Sequence, residues 1–141
     1  MSTENFTVAN TTKIRVRYAE TDKMGFVYNS NYLVYFEVAR VEMMRACGLP
    51  YVDFENEGYM LPLVESYVNY LSPSFFDDEL SVEAKLIFEL KATMKIEYNI
   101  YRDNTTIAKG FTVHSFFSSK TRKPVRPPKV FIDSLKKYSS K

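Results

Sequence analysis

The chain has 141 residues, of which 45% are hydrophobic and 26% are charged, and its formal net charge is +2. This length and balance are typical of one globular domain and argue against a disordered tail. A net charge this small does not indicate nucleic-acid binding, which usually needs a strongly basic surface.

Cysteine and histidine are too scarce to build a disulfide or a metal cage. Cys47 is the only cysteine, so it suits a reducing compartment, and we expect a buried apolar filler. His114 lies within a predicted strand, and we expect it to be structural. We expect no metal and no cofactor. The first residues carry no basic region followed by an apolar run, and no stretch approaches the ~20 apolar residues of a membrane helix, so we expect a cytoplasmic protein without a membrane span.

The first elements in chain order are a short strand and a long helix. Residues 13–18 predict the strand. Asn29–Ser30 can cap the start of the helix, and Cys47–Gly48–Leu49–Pro50 places a glycine and a proline where it should stop. Few positions between these signals are polar. A helix this apolar has to be surrounded, and the simplest container is a sheet curved around it.

Four further runs predict that sheet. Residues 61–71 form a strand candidate, and residues 80–90, 94–101 and 107–117 follow, the first two with clear alternation of apolar and polar side chains. The short links between the last three runs predict an antiparallel meander. The fold class is therefore α+β, an antiparallel sheet wrapped around one long central helix. Oligomerisation would cover the edge strand and the sheet face that remain exposed.

The loop 17–29, between the first strand and the helix, is a candidate active site. Free backbone N–H groups at a helix start can stabilise an oxyanion, and Asp22 precedes that start by a few residues. A carboxylate beside a thioester carbonyl can attack it or activate water, and both routes hydrolyse the acyl group. Gly25 lets the backbone approach closely or take a positive φ. The alternative is that Asp22 is only a turn or capping residue.

Three stretches carry a family resemblance: RVRYAETDKMGFVYNSNYLVYFEVAR, LVESYVNYLSPSFFDDEL and RKPVRPP. They resemble hotdog-fold thioesterases related to 4-hydroxybenzoyl-CoA thioesterase and to the acyl-CoA thioesterase associated with the Tol-Pal system. The similarity runs from Lys13 to Pro128. It implies a central helix wrapped by an antiparallel sheet, and homodimers that pair edge to edge, often as homotetramers, with active sites at the subunit interface.

The resemblance also implies roles for residues of the loop. The catalytic aspartate falls on Asp22, and the carbonyl-polarising amide falls near Tyr28 and Asn29. Many Tol-Pal-type members have a histidine where this chain has Asn29, which cannot titrate near neutral pH, so a two-residue acid/base scheme is not expected. Apolar and aromatic residues of this region, Val27 and Tyr32 among them, are expected to bind substrate beside Gly25.

Other charged residues have weaker assignments. Glu37 and Arg40, three apart on the helix, are expected to pair, and Glu37 is a reserve catalytic carboxylate. Glu65 would need a partner if it were buried. A proline-stiffened basic loop contains Arg122, Lys123 and Arg126; it could bind the phosphates of coenzyme A, or it could be a solvated basic tail.

The sequence thus predicts a single hotdog domain over residues 1–141, with a core of about 13–128. We expect an acyl-CoA thioesterase that releases a free acid and CoA, acts as a homo-oligomer and does not bind nucleic acid. Two alternatives stay open: hydrolysis of an acyl-carrier-protein thioester, and a hotdog subunit that binds acyl thioesters without hydrolysing them.

Overall fold

A five-stranded antiparallel sheet with the order β1-β4-β5-β6-β3 forms the body of the computed structural model, which describes residues 5–139. The ends of the predicted 1–141 domain, residues 1–4 and 140–141, lie outside the described residues. The strands are β1 (Phe6–Arg15), β2 (Tyr59–Met60), β3 (Leu63–Tyr70), β4 (Glu79–Phe88), β5 (Thr93–Arg102), β6 (Thr105–Ser115) and β7 (Phe117–Ser118). The helices are α1 (Asn31–Ala46), α2 (Tyr51–Asn56) and α3 (Lys129–Ser139).

The predicted meander is confirmed in β4, β5 and β6. On β4, Ala84, Leu86 and Phe88 are fully buried, whereas Lys85 and Ile87 between them are exposed. Val82 pairs with Ile100 on β5, so apolar side chains of neighbouring strands meet on the same face. This period of two separates a face that covers α1 from an outer face.

Helix α1 lies on the inner face of the sheet, as predicted for the central helix. Its buried side chains are Tyr32, Tyr35, Phe36, Ala39, Met43 and Met44. The Phe36 ring stacks on Tyr98 of β5 with a centroid distance of 4.3 Å and an interplanar angle of 6°. Beside it, Gly110 of β6 has no side chain, which lets the ring approach the strand. After Ala46 the chain turns at Gly48 with φ +81°, so the predicted glycine stop is confirmed.

The structure corrects several predicted boundaries. Strand β1 begins at Phe6, well before the predicted residue 13, because its inward positions include polar side chains that hide the alternation. Helices α2 and α3 were not predicted, since only one segment looked helical. Ser30 precedes α1 but its side chain makes no capping hydrogen bond. Within the described part of the chain, no helix combines the length and apolarity needed to cross a membrane.

Gly110 provides a test of how closely α1 must approach the sheet. A Cβ at this position would lie 2.7 Å from the Phe36 ring and would also meet the Tyr67 backbone carbonyl. We expect Gly110→Ala to lower the free energy of unfolding by about 3 kcal/mol, as overpacked cores do. Gly48→Ala is the control: a Cβ there meets nothing within 4 Å, so only backbone strain of about 1 kcal/mol remains. Equal losses in urea unfolding would contradict this account.

Candidate active site

The loop before α1 folds into a small hairpin that presents Asp22. Thr21 and Val27 form an antiparallel bridge, and the Asp22 amide donates to the Phe26 carbonyl at 2.9 Å. The Gly25 amide donates back to the Asp22 carbonyl at 3.0 Å. Gly25 has φ +85°, the backbone region that favours glycine, so one of its two predicted uses is confirmed. No heavy atom crowds a Cβ built there, so close approach within the chain is not the reason for it.

The Asp22 carboxylate is half-buried and only partly used by the hairpin. Oδ1 accepts a hydrogen bond from the Met24 amide at 2.9 Å, which orients the carboxylate. Oδ2 takes part in no hydrogen bond or ion pair with residues 5–139. Oδ1 therefore has the turn role that the alternative interpretation of Asp22 describes, while Oδ2 is free to contact a substrate or a water molecule.

The amides at the start of α1 are not equivalent. The Tyr28 amide donates to the Glu20 carbonyl at 2.9 Å. Because it is already paired, it is not free to serve as an oxyanion donor, and of the two positions near which the polarising amide is expected, Asn29 stays the candidate. The amides of Asn29 and Ser30 donate to no group within the described chain. The Asn29 carbonyl accepts from the Tyr70 hydroxyl at 3.3 Å, which ties this position to the end of β3.

An open cleft of about 260 Å³ lies beside the hairpin and the helix start. Three predicted site residues, Val27, Asn29 and Tyr32, line it together. Asp22 does not line the cleft itself, but it is hydrogen-bonded to Phe26, which does. Tyr28 is half exposed and lies outside the cleft. The complete lining is Phe26, Val27, Asn29, Tyr32, Tyr70, Leu71, Ser72 and Pro73.

The basic loop lies far from Asp22 in the same protomer. The Val125 amide donates a hydrogen bond to the Phe116 carbonyl, which fixes the basic loop beside the end of β6. The loop and the β4–β5 connection together line a second cleft of about 460 Å³. The hairpin, by contrast, bonds to Ser74, just before β4. Because β4 has 10 residues, the two sites are separated by a distance on the order of 30 Å. Arg122, Lys123 and Arg126 are exposed there, and one chain does not bring them to Asp22.

The other candidate acids lie outside the site. Glu37 is exposed and forms no ion pair with Arg40, contrary to prediction, because the Arg40 guanidinium is directed to the Tyr98 hydroxyl at 3.4 Å. Glu65 is exposed on β3 and needs no buried partner. Cys47 is buried, as expected, and burial raises the pKa of its thiol to about 11.

Sequence reasoning missed Glu20, which joins the loop to the helix. Its carbonyl accepts from the Tyr28 amide and from the Asn31 side chain, and its buried carboxylate accepts from the Tyr35 hydroxyl. The sequence signal that could have indicated Glu20 is a second acidic residue two positions before Asp22.

The chain belongs to the thioesterase-like superfamily, whose family model matches residues 16–135. Membership assigns it to the thioester hydrolases, the enzyme class that the sequence predicts. The predicted resemblance to hotdog-fold thioesterases is confirmed by this match and by the fold.

One relative and two solved structures illustrate the similarity. A Bacillus subtilis protein provisionally named acyl-CoA thioesterase YneP is 32% identical over 86% of this chain and 88% of its own. The structure of DHNA-CoA thioesterase from Staphylococcus aureus is 32% identical, covers 94% of this chain and 89% of its own, and has a TM-score of 0.84. A 4-hydroxybenzoyl-CoA thioesterase in complex with 4-hydroxybenzoyl-CoA has a TM-score of 0.81 over 90% of this chain and 98% of its own. Its 16% identity shows the fold alone.

His114 belongs to a buried polar chain away from the hairpin. Its Nδ1 lies 3.1 Å from the Leu61 carbonyl oxygen, and its Nε2 lies 2.9 Å from the Thr112 hydroxyl, which contacts the Tyr98 hydroxyl at 2.7 Å. Both ring nitrogens are occupied, which supports the structural role. Burial, together with the positive charge of Arg40, lowers the pKa of His114 from 6.5 to about 4.

This lowered pKa predicts a specific acid sensitivity. Between pH 6.5 and 4, His114 is protonated in the unfolded chain but neutral in the folded chain. Its contribution to the free energy of unfolding is therefore fully present above pH 6.5 and is lost as the pH decreases. The loss should reach about 3 kcal/mol near pH 4. The stability advantage of the wild type over His114→Gln, measured by urea unfolding at each pH, should shrink by that amount. A difference that does not change with pH would contradict the assignment.

Proposed function

We propose that this thioester hydrolase cleaves acyl-CoA, with Asp22 as nucleophile or general base and the Asn29 amide as the oxyanion donor. One observation supports the proposal above all. Asp22 Oδ2 and the amides of Asn29 and Ser30 have no hydrogen-bond partner among the described residues, and they lie in one hydrogen-bonded hairpin and helix start before α1. Negative charge that develops there is favoured by the helix dipole.

The reaction adds water across the thioester. As a general base, Asp22 takes a proton from water while the water oxygen bonds to the carbonyl carbon, and the Asn29 N–H stabilises the resulting oxyanion. Collapse breaks the C–S bond, and the thiolate receives the proton to give CoA and a free acid. As a nucleophile, Asp22 itself bonds to the carbonyl carbon, and the C–S bond breaks to release the CoA thiolate. Water then cleaves the mixed anhydride, which restores the Asp22 carboxylate and gives the free acid, and the remaining proton of that water goes to the thiolate. Either route requires an ionised Asp22 with one carboxylate oxygen that accepts no hydrogen bond from the protein.

Aromatic acyl-CoA esters are the first substrates to test. The Staphylococcus aureus relative is named for the aromatic DHNA-CoA. Three rings, those of Phe26, Tyr32 and Tyr70, line the cleft beside Asn29. Tyr32 is held by a 2.7 Å hydrogen bond to Ser74, so its ring is a rigid wall against which a flat acyl group can pack.

Asp22→Asn should reduce kcat/KM for the best acyl-CoA by at least about 100-fold, mostly through kcat. The variant keeps an oxygen for the Met24 amide, so the hairpin and the melting temperature should be preserved. Asp53→Asn, an exposed acid on α2, is the matched control and should retain full activity. Thiol release by Asp22→Asn at the parental rate would refute the proposal.

We also propose that β3 pairs with β3 of a second copy. It is the sheet edge that exposes apolar side chains, with Leu63, Val64, Tyr67 and Tyr70 each more than half exposed. The opposite edge, β1, exposes threonine, lysine and arginine instead. An unpaired apolar edge is stabilised by antiparallel pairing about a two-fold axis. Val34 and Val38, exposed on α1, would extend the same interface.

Such a dimer would bring the basic loop to the active site of the partner. The start of β3 pairs near His114, at the end of the sheet that carries the basic loop, while its last residue Tyr70 contacts Asn29. Antiparallel pairing of two β3 strands places these opposite ends side by side. Arg122, Lys123 and Arg126 of one copy would then meet the CoA phosphates at Asp22 of the other.

Mixed dimers test this arrangement. The triple change Arg122→Gln, Lys123→Gln, Arg126→Gln should raise KM for acyl-CoA by about tenfold and leave the N-acetylcysteamine thioester, which lacks the nucleotide, unaffected. Co-refolding this variant with Asp22→Asn forms sites that combine an intact Asp22 with an intact basic loop from the other copy. Low-KM activity should return to about a quarter of the parental level. No recovery in confirmed mixed dimers would show that the basic loop does not serve the partner.

A cytoplasmic location is part of the proposal. It is supported by Cys47, a buried thiol without a disulfide partner, which suits a reducing compartment.

A further inference from the structure

Glu20 is the one buried carboxylate among residues 5–139, with 8% of its surface exposed. It accepts hydrogen bonds from the Arg17 amide at 2.9 Å, from Arg17 Nε at 3.2 Å and from the Tyr35 hydroxyl at 2.8 Å. Tyr35 is itself buried on α1. A buried charge is costly unless it is well paired, so these partners hold Glu20 in one arrangement.

The backbone of Glu20 bonds to a second set of groups. Its carbonyl accepts from the Tyr28 amide and from Asn31 Nδ2, both at 2.9 Å. One residue therefore holds the loop before the hairpin, the residue after it and the first turn of α1. Asp22 follows Glu20 by two positions, and Asn29 follows Tyr28 directly. These bonds connect the segment that carries the Asp22 carboxylate to the residue before Asn29 and to the first turn of α1.

The protonation states keep this connection in place. Burial alone would raise the pKa of Glu20, but the hydrogen bonds from the Arg17 amide, Tyr35 and the Arg17 guanidinium outweigh it and lower the pKa. Burial and the neighbouring Glu20 raise the pKa of Tyr35, so its hydroxyl keeps the proton that it donates. The bond is charge-assisted, which makes it stronger and shorter than a neutral one.

We propose that Glu20, through Tyr35 and Asn31, is the positioning residue that sets the geometry between Asp22 and the Asn29 amide. The inference rests on the proposed roles of those two groups. Glu20 is not a second base, because its carboxylate oxygens are occupied by Arg17 and Tyr35. Small displacements of a reacting group can lower rates by about 100-fold, so a bond outside the reaction can still control kcat.

Single hydrogen-bond deletions test the role of Glu20 without unfolding the chain. Tyr35→Phe removes the helix-side bond, Asn31→Ala removes a bond to the Glu20 carbonyl, and Glu20→Gln removes the charge. Each should lower kcat by about tenfold or more with little change in KM. Tyr98→Phe deletes a comparably buried phenol hydroxyl elsewhere in the core and should lower the melting temperature similarly while kcat stays at the parental value.

A double-mutant cycle separates the two proposals. Tyr35→Phe should have almost no further effect on kcat in an Asp22→Asn background, because the group it positions is already lost. Additive losses, or a parental kcat in both Tyr35→Phe and Asn31→Ala, would overturn the positioning role and leave the role of Asp22 intact. Parental activity in Asp22→Asn alone would refute the role of Asp22, and the positioning role with it.

Discussion

The enclosure of α1 by the sheet is the constraint on which the site depends. Each fully buried large side chain contributes about 1.5–3 kcal/mol, and Tyr35, Phe36 and Met43 all point from α1 into the core. The Phe36 ring stacks on Tyr98 and fits against Gly110, which has no side chain. Because this contact exists at only one position on the sheet, it fixes the position of the helix along the strands. Its N-terminus therefore emerges at one defined place, at the end of the sheet where β4 begins.

A helix start fixed in this way does not by itself make a catalytic centre. The preceding chain has to turn back on it, and the Thr21–Val27 hairpin does so with backbone bonds and the positive φ of Gly25. The hairpin in turn is joined to α1 by Glu20. The packing of α1 thus fixes the helix start, the turn geometry places the hairpin beside that start, and the buried charge of Glu20 joins the two.

Much of the fold follows from hydrophobic periodicity, because alternation and apolar runs report burial directly. The meander of β4 to β6 and the central helix could be predicted for that reason. The register of β1 could not, since its inward positions include Asn10 and Thr12. Helix α3 was missed although Phe131 and Leu135, four apart, are its buried residues. The basic and proline-rich stretch before it favoured a loop or tail instead.

The candidate site was predictable to the level of the loop and no further. Asp22 and Asn29 stand out as residue types beside a helix start, but hydrogen-bond pairing is decided in three dimensions. The Tyr28 amide is consumed by Glu20, and Arg40 bonds to Tyr98 rather than to its sequence neighbour Glu37. The phosphate charges of coenzyme A suggested that the basic loop could bind the same substrate as Asp22. The strands between them place the two at opposite ends of the sheet in one chain. In the proposed dimer, antiparallel pairing of β3 with its copy would place these opposite ends side by side, so that the basic loop of one copy would lie beside Asp22 of the other.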